Sequence, residues 1–390
     1  MTTVPAPGEP PSGPPAGPID CDVHPTVPNM AALLPYLDDL WRETAIRRGI
    51  DELTTISYPT ANPLTSRADW RDGNGKAATS AAAMASQLLD PFGTGLAICN
   101  CLYGVQALFS EDMSAAFCRG LNDWIAREWL DRDPRLRASI VVPMNNAELS
   151  VDEINRCAGD NRFVQVLLLV GSEMPLGRRQ NWPIYAAAEK HGLPVGIHAG
   201  STYRHPVTSV GWPTTYTEDY VNQAPSFQSQ LTSLIVEGVF TRFPDLTVVL
   251  MESGVSWLPA YLWRLTKFWK GLRSEIPWVS DPPGSIVRDR VRLTLQPFDG
   301  PPGDGPPGAG PIGDGSMSGG PDAAGDIARL VDHIGSDEML LFSTDYPHWQ
   351  FDGLNAIPRG MDRALAQKIM ADNPLRTYRR LNQATPLAAV

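Results

Sequence analysis

The sequence of 390 residues predicts an α/β fold, a (β/α)8 TIM barrel with insertions at its C-terminal mouth. Three observations predict it. Eight short β-rich runs recur along the chain, amphipathic helical patterns separate them, and no glycine-rich dinucleotide turn follows the first run. Strands alternating with helices imply parallel βαβ units, and the missing turn sets aside the doubly wound alternative.

The runs are Ile19–His24, Gly95–Cys101, Ala138–Pro143, Phe163–Val170, Leu193–His198, Leu246–Glu252, Val291–Gln296 and Met339–Asp345. Helical periodicity is clearest over Glu111–Leu130, Trp182–His191, Phe227–Phe243, Trp257–Arg273 and Ile327–Ile334. The stretch Arg42–Leu89 is too long for a simple βα connection and is expected to decorate the mouth.

Composition shapes the domain reading. The chain holds 34 Gly and 37 Pro, concentrated in residues 1–18 and 299–321, where no hydrophobic period exists. Residues 1–18 read as a disordered tail, 19–390 as one barrel domain, and 299–321 as an insertion loop between the last two strands. A hydrophobic fraction of 43% supplies the apolar surface that ordering a domain requires.

Charge and cysteine content narrow the function. The formal net charge of −11, with no basic cluster, argues against nucleic acid or anionic membranes as partners. Five cysteines with no CxxC pair argue against a disulfide framework or structural zinc module. The N-terminal residues lack the basic and apolar regions of a signal peptide, so a cytoplasmic setting is expected.

In a barrel, polar residues at the C-terminal strand ends face one mouth. The first run ends in Asp22-Val23-His24, and side chains two apart on a strand share a face. The fifth ends at His198, the sixth at Glu252, and the eighth at Asp345 with His348 three residues on. Each has a plain structural alternative: Asp22 as an N-cap beside a surface His24, His198 as a satisfied core histidine, Asp345 as a turn starter, Glu252 as a cap for the next helix. Together, two imidazoles and two carboxylates make a divalent-metal site. Around them, Tyr203, Arg204 and His205 fall in an aromatic and cationic stretch suited to a carboxylated ligand, and Phe298 and Trp349 are candidates to line the mouth.

These motifs resemble the amidohydrolase superfamily, in its group typified by aminocarboxymuconate-semialdehyde decarboxylase. The matching segments are IDCDVHP, LPVGIHAG, EGVFTRFPDLTVVLMESGVSWLP, LTLQPF, LLFSTDYPHW and ADNPLRTYR, in that order. The resemblance implies one divalent ion, zinc first with manganese or magnesium as rivals, held by Asp22, His24, His198 and Asp345. It also implies that Asp345 handles a proton and that the protein forms a homodimer. Two departures stand out: Asp-x-His replaces the common His-x-His, and Glu252 occupies the place of a histidine. No lysine lies at Val170–Ser172, so a binuclear centre on carbamylated lysine is not supported.

The expected function is therefore a metal-dependent enzyme acting on a small carboxylated molecule, with non-oxidative decarboxylation favoured and Asp345, Glu252 and His348 as catalytic candidates. Hydrolysis of an amide, lactone or related bond by metal-activated water is the alternative. A non-catalytic barrel with a degenerate site is the third reading.

Overall fold

The computed structural model describes residues 17–53, 56–59, 65–296, 298–299, 323–349 and 361–382. The expected tail lies outside them except for Gly17 and Pro18, as does the Gly/Pro insertion apart from Asp299.

Eight strands form one parallel sheet in sequential order: β1 (Ile19–Val23), β2 (Leu96–Cys99), β3 (Leu136–Val141), β4 (Phe163–Gly171), β5 (Val195–Ser201), β6 (Val248–Met251), β7 (Val291–Thr294) and β8 (Leu340–Leu341). The sheet closes on itself. The Cys21 N–H donates to Phe342 O at 2.9 Å, Asp345 N–H to Asp22 O at 3.1 Å, and His24 N–H to Tyr346 O at 2.7 Å. Closure leaves no free edge, and all eight runs read from the sequence are strands of the barrel.

The strands are nearly continuous apolar runs because helices cover the outer face and the barrel's own side chains fill the inner one. In β4 every residue is buried. The helices are α1 (Asp39–Arg48), α2 (Ala81–Met84), α3 (Glu111–Ile125), α4 (Ala147–Cys157), α5 (Trp182–Lys190), α6 (Tyr216–Val236), α7 (Val239–Arg242), α8 (Leu258–Leu272), α9 (Pro283–Arg290), α10 (Ala323–Ile334), α11 (Arg363–Gln367) and α12 (Asn373–Thr377). Among the described residues no helix is long and apolar enough to cross a membrane.

Helix α10 starts four residues before its expected Ile327, α3 ends at Ile125 rather than Leu130, and one pattern differs more. The pattern over Phe227–Phe243 is two helices, broken at Gly238, whose φ of 84° leaves the helical region. The first starts eleven residues earlier, at a capping box in which Thr215 and Glu218 bond reciprocally. That early start carries Tyr216 and Tyr220 over the mouth.

Among the described residues before α2, Ile56, Ser66 and Trp70 lie at the mouth, as expected of this stretch. Ile56 O accepts from the Ser201 N–H at the end of β5, Ser66 bridges to His348, and Trp70 packs on Tyr346 at 5.0 Å.

Candidate metal centre

Four strand ends deliver the site. Asp22 lies within β1 and His24 immediately follows it, His198 is the central residue of β5, which runs on to Ser201 beyond the end expected from the sequence, Glu252 follows β6, and Asp345 follows β8. The metal-binding atoms of Asp22, His24, His198 and Glu252 all lie within 4.8 Å of one another. His24 Nε2 is 3.4 Å from Asp22 Oδ1, 3.6 Å from Glu252 Oε1 and 3.0 Å from Asp345 Oδ1. His198 Nε2 is 3.5 Å from both Asp22 Oδ2 and Glu252 Oε1. The two imidazole rings meet edge to face at 5.0 Å.

Both imidazoles are oriented from behind. His24 Nδ1 bonds to Asn100 O at 2.9 Å and His198 Nδ1 to Ala199 O at 2.8 Å. A carbonyl only accepts, so each Nδ1 carries a proton and each Nε2 is turned into the cluster. Histidines that bind metals are held this way.

The backbone is strained where the carboxylates stand. Glu252 has φ 53° and Asp345 φ 57°. The left-handed region is unfavourable for residues bearing a Cβ, and such strain concentrates at working sites. Glu252 is pinned there by its N–H donating to Thr294 Oγ1 at 3.2 Å. It does not cap the following helix, whose N-cap Trp257 receives no side-chain cap bond; the turn before that helix is held by Asp299, which accepts from Val255 N–H at 2.7 Å and Ser256 N–H at 3.0 Å.

Electrostatics match the geometry. Burial disfavours charge on His24 and His198, but the carboxylates of Asp22 and Glu252, joined at His24 by Asp345, outweigh it and raise both imidazoles. Burial also acts to raise Glu252, yet the two imidazoles together hold its carboxyl well below the usual range. Burial and then the negative charge of Glu252 push Asp345 well above that range. Burial pulls His348 down to about 4, so its imidazole is neutral at pH 7.

These residues fit a divalent cation. Asp22 Oδ2, His198 Nε2 and Asp345 Oδ2 are buried yet make no hydrogen bond among the described residues. Three carboxylates around two inward-facing ring nitrogens require positive charge between them. A divalent ion among Asp22, His24, His198 and Glu252 would supply it and satisfy the unbonded Asp22 Oδ2 and His198 Nε2.

The remaining expected residues divide. His348 lies beside Asp345, Nδ1 to Oδ2 at 3.5 Å, stacked on Tyr220 with ring centroids 6.1 Å apart and Trp349 at 5.6 Å. Tyr203 lines a cavity of about 420 Å3 with Tyr58, Phe109 and Trp212. Arg204 lies over the Phe109 ring at 3.5 Å and donates to Leu108 O at 3.0 Å. Phe298 is half-buried against the core, while His205 is exposed, its Nδ1 bonded to Pro206 O.

Sequence reasoning missed Asn100 and Tyr220. Asn100 follows the end of β2, and the strand-end rule that found the other residues reaches it once amides are searched as well as titratable groups. Tyr220 is one helical turn beyond Tyr216, a spacing that marks a shared face once α6 begins at Thr215.

Comparison with known proteins agrees with this geometry. The amidohydrolase family model matches residues 19–380. A gamma-resorcylate decarboxylase of Rhodococcus jostii (strain RHA1) is 24% identical over 202 residues, 48% of this chain and 57% of that enzyme. The chain thus matches little more than half the length of that relative. Among solved structures, an amidohydrolase from Mycobacterium avium subsp. paratuberculosis K-10 superposes with a TM-score of 0.67 at 20% identity, covering 93% of this chain and 97% of that one. A dihydroxybenzoic acid decarboxylase from Polaromonas sp. JS666, solved with manganese and the inhibitor 2-nitroresorcinol, superposes with a TM-score of 0.60 at 19% identity, covering 94% and 98%. By the family match over nearly its whole length, the chain belongs to the amidohydrolase family.

Proposed function

We propose that this protein is a divalent-metal-dependent decarboxylase of small carboxylated aromatic molecules. The observation that carries the reading is the convergence of Asp22, His24, His198 and Glu252 in one buried cluster, with Asp345 against it. The activities named for the Rhodococcus and Polaromonas relatives support decarboxylation over hydrolysis.

Asp22, His24, His198 and Glu252 would hold the ion, Glu252 taking the place that the resemblance implied for Asp345. Bound among them, a divalent cation supplies Lewis acidity that anchors and polarises an anionic substrate. Manganese is the first ion to test, given the Polaromonas neighbour and the oxygen-rich donor set, with zinc beside it. Asp345 reaches the cluster through Oδ1, which leaves Oδ2, on the side of His348, to carry a proton.

In the reaction, Asp345 gives its proton to the ring carbon that bears the carboxylate. The bond to the carboxylate carbon breaks, its electron pair restores the ring, and carbon dioxide leaves. Asp345 then regains a proton from water. Burial of Asp345 at 1% exposure keeps that proton from bulk solvent between turnovers. The stacked Tyr220 and His348 offer a flat wall for the ring. The cavity lined by Tyr58, Phe109, Tyr203 and Trp212, with Arg204 beside it, suits the aromatic body of such a substrate. A cytoplasmic homodimer completes the proposal.

The test is an assay of manganese-loaded protein against hydroxylated benzoates for carbon dioxide release, beside amides and lactones for hydrolysis. Release of carbon dioxide that falls at least about a thousandfold in Asp345→Asn is the expected result. Hydrolysis without carbon dioxide release would replace this reading with the hydrolytic one.

A further inference from the structure

We propose that Asn100 is a positioning residue for the metal centre, holding both halves of the Asp22-Val23-His24 motif at once. The proposal rests on reading Asp22 and His24 as ligands and is independent of which reaction follows.

Asn100 contacts β1 and its end through every polar group it has on that side. Its N–H donates to Val23 O at 2.8 Å, and its carbonyl accepts from His24 Nδ1 at 2.9 Å. Its side-chain Nδ2 donates to Asp22 Oδ1 at 2.8 Å and to Cys21 O at 3.3 Å. One residue therefore sets the direction of an imidazole through its backbone and of a carboxylate through its amide. It is fully buried.

The sense of that amide is fixed from the barrel floor. Tyr378 OH donates to Gln165 Oε1 at 3.2 Å, which turns Gln165 Nε2 towards Ser139 Oγ at 2.9 Å. The Ser139 hydroxyl, having accepted that bond, donates to Asn100 Oδ1 at 2.6 Å. Asn100 Nδ2 is then left facing Asp22, the only sense in which a carboxylate can accept. The chain steps from Gln165 on β4 to Ser139 on β3 to Asn100 after β2. Every member is buried, so each bond forms in a medium where reversal would strand donors and acceptors.

The packing makes room for this chain. A Cβ at Gly196 on β5 would lie 2.5 Å from both Gln165 Cδ and Nε2. The φ of Gly196 is ordinary, so the glycine serves the close approach of the Gln165 amide.

The experiment measures Mn2+ affinity by competition with a fluorescent chelator, with the Mn2+ resonance spectrum as a second readout, on the full-length protein. Removing partners that orient metal ligands typically weakens affinity about 10- to 100-fold. Asn100→Leu is expected to lose affinity in that range and to change the spectrum. Ser139→Ala, which deletes the shorter bond to Asn100 Oδ1 and leaves that from Gln165 Nε2 at 3.4 Å, is expected to weaken affinity measurably but by less than Asn100→Leu does. Asn122 is the control: another buried asparagine, bonded to Val141 and Glu153 and away from the ligands. Asn122→Ala should lower thermal stability and leave Mn2+ affinity unchanged.

Mn2+ affinity within twofold of wild type in folded Asn100→Leu overturns the proposal. If Asn100→Leu does not fold, unchanged affinity in Ser139→Ala overturns it. Wild-type protein that binds no Mn2+ or Zn2+ removes the ligand reading and this proposal with it. A binding wild type with an unaffected Asn100→Leu removes the proposal alone.

Discussion

Glu252 and Asp345 approach the same nitrogen, His24 Nε2, at 3.6 and 3.0 Å, and both stand in left-handed backbone conformation. They come from the ends of β6 and β8, two strands apart. Barrel closure sets Asp345 beside His24 at the end of β1, and Glu252 reaches the same imidazole from β6.

That shared strain gives the first prediction. At an ordinary buried position glycine is the costlier replacement, by about 0.5–1 kcal/mol of chain entropy besides lost contacts. At φ near +55° it also relieves about 1–2 kcal/mol of backbone strain. Glu252→Gly should therefore be at least as stable as Glu252→Gln, although neither binds metal tightly. Urea unfolding of both variants in chelator checks this; a Gly variant more than about 1 kcal/mol below the Gln variant would show that the backbone is unstrained.

The second prediction concerns pH. His24 and His198 have raised folded pKa values in the metal-free protein. Their stabilising contribution is full below the unfolded value of about 6.5 and is lost as pH rises through the folded values. Metal must displace those protons, so affinity rises with pH, by up to about tenfold per unit for each proton displaced. Calorimetry in buffers of different ionisation enthalpy should record proton release on binding. Affinity independent of pH from 6 to 8 would mean that the imidazoles are already neutral.

Asp20 supplies a third. Burial pushes its carboxyl up to about 7 against the bonds from Thr344 and the Asp22 N–H that oppose it. Between pH 3.8 and 7 the unfolded carboxyl ionises and the folded one does not, so wild-type stability falls as pH rises. In Asp20→Asn this fall disappears. The stability difference between variant and wild type should shift in the variant's favour by about 3 kcal/mol from pH 5 to pH 8. A difference that stays constant over that range would contradict the raised value.

The fourth prediction tests how β6 and β7 are coupled. Gly254 has φ 66°, and a Cβ there would fall 2.4 Å from Asp299 Oδ2. Gly254→Ala must displace the Asp299 carboxylate from the Val255 and Ser256 amides, at a cost of about 1–3 kcal/mol. Glu252 lies two residues upstream, so metal affinity should fall with thermal stability. Asp299→Asn, which keeps an acceptor, should be much milder. Equal effects of the two variants would show that the close approach is not what requires glycine.

Much of this was legible in the sequence because strands and metal ligands leave local marks. The apolar run Phe163–Val170 has the length and β-branched content of a strand buried on both faces, and Asp22, His24, His198, Glu252 and Asp345 all lie at or near the ends of such runs. The structure adds partners that local reading does not reach. Asn100 matters through where its carbonyl and amide point, which depends on Ser139, Gln165 and Tyr378, none of them near it in sequence. Glu252 read equally well as a helix cap, yet α8 begins only at Leu258 with no side-chain cap, and the turn between them is held by Asp299, forty-seven residues later. His205 shared the composition of its neighbours Tyr203 and Arg204, yet the turn after β5 leaves it exposed.

The central claim is that Asp22, His24, His198 and Glu252 converge on one divalent ion. Anomalous diffraction from crystals grown with Mn2+ tests it most directly. One peak bounded by the Nε2 atoms of His24 and His198 and the carboxylates of Asp22 and Glu252, with Asp345 alongside, is the predicted result. No peak there, or manganese bound by other residues, would contradict the account.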